Sequence, residues 1–277
     1  MRKGLKVFIA CCLILGIPIG LYAMFIEPFR MVVTEWTVQT EKWNHPQPLK
    51  MVLLADMHAI SPWMTKNHLD KIVKKTNDLN PDIVLLLGDY VATHPFGKQL
   101  SPENGVRPYK NIKSACGVFA ILGNHDLHGS EGWPEALKKT GIPILRNQVQ
   151  KIECRKQSFW IAGLDEWWYG QPDIAKMLKK ISDKNPVILM THNPDAFPKI
   201  PNNIALTVAG HTHGGQIRLP FYGAIPFVVP SDYGVKYVYG HVKEQGKDLI
   251  VSGGLGMTGL PLRFLMPPEI TVVNLKN

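Results

Sequence analysis

Short apolar runs that end abruptly in Asp, Asn or His recur along this chain and leave little freedom in how it can fold. Residues 49–55 lead into Asp56-Met57-His58, residues 82–87 into Gly88-Asp89, and residues 117–122 into Gly123-Asn124-His125-Asp126. Residues 186–190 lead into Thr191-His192-Asn193-Pro194, and residues 204–209 into Gly210-His211-Thr212-His213-Gly214-Gly215. A continuous apolar run of this length, bounded by turn formers, is the pattern of a strand buried on both faces. Between the runs, Leu69, Ile72, Val73 and Leu79 recur at helical spacing, which predicts a helix over 66–79 stopped by Asn80-Pro81. Further helices are expected over 133–140, closed by Gly141, and over 173–183. Strand, polar strand end and helix alternate, so the chain reads as an α/β domain with its site at the strand ends.

The remaining segments fit that frame. Alternating apolar and polar residues over 31–50 suggest a strand leading into the domain, and 94–111, rich in Pro and Gly, reads as a surface loop. Two or three strands are expected across 144–164, and two more in 249–276 flanking a loop over 253–268. The chain has 277 residues, enough for one large domain over 31–277, and no internal repeat or linker divides it. Cys116 and Cys154 are isolated, with no Cys-x-x-Cys spacing anywhere; a single bridge between them stays open.

Residues 1–30 differ from the rest. Arg2, Lys3 and Lys6 precede an uncharged apolar run over 7–26, and about 20 such residues are long enough to cross a bilayer as a helix. Pro18 is tolerable there, and Tyr22-Ala23-Met24-Phe25-Ile26 offers no small-residue cleavage site, so an uncleaved single-pass anchor in the cell membrane is expected rather than a signal peptide. Arg30 and Lys42 follow the run, so the positive-inside rule leans by a thin margin to a cytoplasmic N-terminus. The formal charge of +9 suits phosphate-bearing partners and also plain solubility. No basic run interleaved with aromatics is present, and nucleic acid is not an expected partner.

Collected in order, the strand ends present Asp56, His58, Asp89, Asn124, His125, His192, His211 and His213. Carboxylates, imidazoles and an amide oxygen suit borderline divalent metals such as Mn, Fe, Zn or Co, and no thiolate biases the set to soft ions. The donors exceed what one ion needs, whereas two ions sharing a carboxylate would use them. Two cations neutralise the oxygens that make a phosphate ester resist attack, and they make hydroxide available at neutral pH.

The five motifs, in this order and spacing, resemble those of the calcineurin-like metallophosphoesterase superfamily, over roughly residue 49 to the C-terminus. Gly-His-Thr-His-Gly-Gly-Gln-Ile-Arg-Leu-Pro and Gly-Leu-Pro-Leu-Arg-Phe further resemble a membrane-associated bacterial branch, some members of which are taken to hydrolyse UDP-2,3-diacylglucosamine in lipid A synthesis. The resemblance implies a four-layer fold, two sheets packed as a sandwich and flanked by helices. It implies one ion held by Asp56, His58 and His213, another by Asn124, His192 and His211, and Asp89 bridging them. His125 is then no ligand but faces the phosphate as proton donor, with Asp126 holding its ring. Met57 stands where the family often has Leu and changes no ligand.

Less direct candidates are Arg263, in an apolar loop, and Arg218, both as phosphate contacts, and Trp167-Trp168-Tyr169, lining the cleft, resting on a membrane interface or packing. The expected activity is metal-dependent hydrolysis of a phosphoester or diphosphate, with Mn the favoured ion. The anchor and the apolar loop favour a lipid-linked substrate; a soluble substrate or the UDP-lipid is the alternative. A nuclease fits less well because no basic run interleaved with aromatics is present and the anchor makes DNA an awkward partner, and a non-catalytic scaffold because every ligand position is filled.

Overall fold

The computed structural model describes residues 2–93, 95–128 and 131–277, and in the first helix the side chains of Gly4, Ile14 and those from Gly16 onward. Two sheets carry the structure. The first has five strands in the order Val32–Gln39, Glu269–Lys276, Leu49–Leu54, Ile83–Leu86, Val118–Ala120. The second has six, in the order Gly240–Glu244, Lys247–Val251, Leu206–Ala209, Val187–Met190, Gln157–Gly163, Gln148–Cys154. At the centre of each sheet the strands that end in Asp, Asn or His pair in parallel, so their C-terminal ends lie along one edge.

Why those strands are apolar throughout follows from the layers. Side chains alternate between faces along a strand: Met51, Leu53, Ile83, Leu85, Ile161, Ile188, Leu206 and Val208 meet in one core between the sheets. Their neighbours Val52, Leu54, Val84 and Leu86 face the opposite way, onto the helix Lys66–Asp78 through Leu69, Ile72 and Val73. On the second sheet, Trp160, Ala162, Val187 and Leu189 pack outward against Met177 and Ala196 from short helical segments. Helix, sheet, sheet, helix is the resulting stack.

Some elements are shorter than expected. The strand anticipated over 31–50 ends at Gln39, and residues 40–48 turn around Trp43, which is fully buried and donates Nε1–H to the Gln47 carbonyl at 3.1 Å. The helix anticipated over 173–183 is Ile174–Leu178, since Asp183 is drawn away to accept from Trp160 Nε1 and pair with Lys151. Gly240–Glu244 has no apolar run and was not anticipated; it is an edge strand held by the hairpin with Lys247–Val251. Cys116 and Cys154 are joined by a disulfide with their Cα atoms 5.5 Å apart, tying one sheet to the other.

The chain begins with the helix Arg2–Phe25. Among the described residues no helix is long and apolar enough to cross a membrane; the side chains of 7–13 and 15, within the run expected to do so, lie outside them. Ile14, Ile17, Ile19, Leu21 and Phe25 are exposed. The helix end is fastened to the domain: the Met24 carbonyl accepts from Trp63 Nε1 (3.0 Å), the Ala23 carbonyl from Arg263 N (2.9 Å), and Glu27 Oε1 from Met266 N (2.7 Å).

Candidate metal centre

Asp56, His58, Asp89, His211 and His213 all have positive φ, between 42° and 73°. For side chains other than glycine this left-handed backbone is uncommon and is concentrated at functional sites. The strands before Asp56, Asp89 and His211 therefore end in a reversal that swings the polar side chains toward a shared point above the sheet edge. Room for the loops to close up comes from glycine: a Cβ on Gly88 would stand 2.5 Å from Gly123 N and 2.9 Å from His192 Nδ1.

The electron-pair donors converge in three overlapping groups, the first of Asp56, His58 and His213, the second of Asp89, His192 and His211, and a third of His58, Asp89 and the half-buried His125 that overlaps the other two. In the first, His58 Nε2 and His213 Nε2 are 3.2 Å apart with their rings stacked. In the second, Asn124 Oδ1 lies 3.0 Å from His192 Nε2 and 2.9 Å from His211 Nδ1. Asp89 Oδ2 lies between the groups, 3.2 Å from His192 Nε2 and 3.6 Å from His58 Nε2. Except for His125 and for Asn124, at 8 % exposure, these side chains are almost completely buried.

The chemistry of the set fits divalent cations. His58 Nδ1 faces the Val91 carbonyl at 2.8 Å and His192 Nδ1 the Leu87 carbonyl at 2.7 Å, which keeps a proton on each Nδ1 and aims Nε2 inward, as a lone pair whenever the ring is neutral. Burial pushes His58 down to about 3, and burial with the neighbouring His192 does the same to His211, so both rings are neutral near pH 7. Burial also raises Asp56 to about 7; His192 opposes this and the Asp89 charge adds to it. Burial works against protonated His192 as well, but the charge and hydrogen bond of Asp89 outweigh it and raise that ring to about 10. A proton thus sits among carboxylates and neutral imidazoles where a cation would relieve the same repulsion.

His125 lies at the mouth. Its Nδ1 is hydrogen-bonded to Thr93 Oγ1, and its Nε2 is 3.4 Å from Thr258 Oγ1 and 4.0 Å from Asp89 Oδ2. Both ring nitrogens have these neighbours, so Asp126 does not hold the ring as expected. The Asp126 carboxylate instead accepts backbone N–H bonds from Asp89 (2.7 Å), Tyr90 (2.8 Å) and Gly123 (2.9 Å), locking two of the donor loops together.

Both arginines expected at a phosphate are engaged elsewhere. Arg263 is fully buried behind His213 and donates to the carbonyls of Gly253, Gly256 and Met266, bracing the loop on which it sits. Arg218 donates to the Gly214 carbonyl and lies over the Tyr239 ring. Trp168 does line the site, its ring edge-on to His211 with centroids 4.5 Å apart. Thr93 and Thr258 were not anticipated, because neither sits at a strand end or in a spacing that marks it.

Comparison with known proteins agrees with this geometry. Residues 49–215, more than half of the chain, match the family model described as calcineurin-like phosphoesterase. The chain is 36% identical over 263 residues to the uncharacterized metallophosphoesterase YkuE of Bacillus subtilis, covering 92% of this chain and 89% of that one. It is 30% identical over 237 residues to the phosphodiesterase YaeI of Escherichia coli, covering 84% of each. Among solved structures, Haemophilus influenzae NAD nucleotidase shares the fold with a TM-score of 0.50 at 15% identity, over 76% of this chain and 46% of that one. The chain belongs to the calcineurin-like metallophosphoesterase family and is a metal-dependent phosphoester hydrolase.

Proposed function

We propose that the chain is a membrane-anchored dinuclear phosphohydrolase that cleaves a phosphoester or pyrophosphate bond of a lipid-linked substrate. The observation that carries the hydrolytic part is Asp89 Oδ2, poised between two groups of inward-facing donors. In this reading Asp56, His58 and His213 hold one ion, Asn124, His192 and His211 another, and Asp89 serves both. Manganese suits the donors best, with iron, zinc or cobalt as substitutes. Divalent ions bound there would neutralise phosphoryl charge and lower the pKa of water near the phosphorus.

The chain's own groups do the rest. Thr93 keeps the His125 ring turned so that Nε2 faces the site, where it can give a proton to the departing oxygen. Asp126 holds the Asp89 and Gly123 loops at fixed separation through their amides. Trp168 covers His211 and narrows access for water from that side.

Membrane attachment is supported by the apolar first helix, whose described side chains are exposed apart from those tied to the domain near its end. The Cys116–Cys154 bridge and the three basic residues ahead of the apolar run over 7–26 favour a catalytic domain outside the reducing cytoplasm. That placement disfavours UDP-2,3-diacylglucosamine, a cytoplasmic compound, and the name of the YaeI relative favours a phosphodiester.

A hydrolysis panel with added Mn²⁺ tests the reading by setting bis-p-nitrophenyl phosphate, p-nitrophenyl phosphate and a UDP-lipid side by side. The diester is expected to be the better chromogenic substrate. Turnover of the UDP-lipid alone would select that alternative, and no turnover with any divalent ion would overturn the hydrolase assignment.

A further inference from the structure

Beside the metal centre lies a cavity of about 330 Å³, walled by Ile217, Ile225, Val228, Pro230 and Leu260. It shares His213 with the first donor group and Thr258 with the surroundings of His125, so it adjoins the metal centre. Its polar walls are already satisfied. Thr212 Oγ1 donates to the Val238 carbonyl, while the Gln216 amide donates to the carbonyls of Thr258 and Leu260 and accepts from Thr258 N. An occupant needs no hydrogen bonds there, and a polar one would lose its own.

The surroundings say where such an occupant comes from. Phe221 is fully exposed and Phe227 is 88 % exposed, on the same stretch that supplies Ile225 and Val228 to the cavity wall. With Tyr222 and Val228, also exposed, they make this stretch an apolar surface of the kind that suits an apolar partner. Phe264 joins this region to the first helix: it exchanges backbone hydrogen bonds with Gln216 and Arg218, and its ring packs edge-on against Tyr22 at 6.4 Å. The apolar helix, the exposed rings and the cavity are therefore contiguous, with the donor atoms at the inner end.

We propose that this cavity is an acyl-chain subsite, in which the hydrocarbon tail of a lipid lies while its phosphate meets the metal centre. The proposal rests on the phosphohydrolase reading above and adds to it the place where the tail of the lipid-linked substrate lies. Val228 and Leu260, each 53 % exposed, form the lip over which the tail enters, and Ile225 lies further in.

The test uses the full chain in lipid nanodiscs with Mn²⁺ and a series of p-nitrophenyl alkyl phosphates with ethyl, octyl and dodecyl chains. Wild-type kcat/KM should rise at least about 100-fold from ethyl to dodecyl, since each buried methylene contributes about a factor of four. Ile225→Trp fills the cavity and Leu260→Trp closes its lip; in either, the dodecyl-to-ethyl ratio should fall at least about 10-fold. A ratio near one in the wild type overturns the proposal. So does a steep ratio that both variants preserve, because partition into the bilayer alone then explains it. Titration calorimetry of dodecyl phosphate against ethyl phosphate reads the cavity without turnover. Tighter dodecyl binding that both variants weaken supports the subsite, and equal binding overturns it. Failure to hydrolyse any ester would count against the hydrolase reading alone, and the calorimetric result would still decide the cavity.

Discussion

Asp89 and His125 stand 4.0 Å apart, yet their expected contributions differ in kind. Asp89 Oδ2 is the atom closest to both donor groups, so Asp89→Asn keeps the shape and removes the charge that two cations would share. Metal content and kcat should fall together. His125→Ala leaves the donors of the Asp56–His58–His213 and Asp89–His192–His211 groups in place; metal content should stay at the wild-type level while kcat drops about 10²–10⁴-fold, the usual contribution of a general acid. Mass-spectrometric metal analysis on the preparations used for kinetics separates the two, and metal loss from the His125 variant would make that ring a ligand instead. Thr93 acts one step further out. Thr93→Val removes the hydroxyl on His125 Nδ1 and should lower kcat about 10-fold with metal content intact, toward the lower end of what an orienting partner supplies. Thr93→Ser, which keeps the hydroxyl, should restore it; equal losses in both variants would assign Thr93 a packing role.

At the scale of the element, the site depends on how strands end. Gly123 closes the strand Val118–Ala120 onto the turn at Asp89, and a Cβ there would meet the Asp89 amide nitrogen at 2.6 Å. Because that contact is backbone, no side chain can swing aside to relieve it. Gly123→Ala should therefore cost about 1–3 kcal/mol of stability, the range for overpacking, and weaken metal binding as the Asp89 and Asn124 loops move apart. Thermal denaturation with and without Mn²⁺ checks both effects; an unchanged midpoint would show that the loops have slack. The same strand ends explain what could be read from the sequence. Runs such as 83–86 are apolar on both faces because both faces are covered, and the residue after each run is polar because it faces the cleft. Arg263 could not be read this way. Its signal, a single cation in an apolar loop, is the same for an arginine holding phosphate and for one collecting the carbonyls of Gly253, Gly256 and Met266. Asp126 follows His125 directly and still serves the backbone of other loops, since a helical turn points adjacent side chains apart. Thr93 and Thr258 reach His125 only through tertiary folding.

For the whole molecule, the two sheets are joined covalently as well as through their shared core, and the join carries a statement about compartment. Cys116 and Cys154 are 38 residues apart, so on a chain-entropy account their bridge stabilises the fold by roughly 3–4 kcal/mol. Such bridges form and persist outside the reducing cytoplasm. In the proposed orientation the basic residues flanking the apolar run over 7–26, Arg2, Lys3 and Lys6 before it and Arg30 and Lys42 after, lean the same way by a thin margin. A C-terminal fusion to a reporter that is active only outside the cytoplasm should thus be active, and the same fusion to a cytoplasm-dependent fluorescent protein should be dark. The paired variant Cys116→Ala with Cys154→Ala should lower the denaturation midpoint of the isolated protein under oxidising conditions and leave it unchanged relative to wild type under strong reductant. If the fluorescent fusion lights up and the alanine pair matches wild type when both are oxidised, the thiols are reduced in the native protein and the domain faces the cytoplasm. UDP-linked lipids would then return as substrates, while the metal centre, built from strand ends that do not involve the bridge, would keep its chemistry.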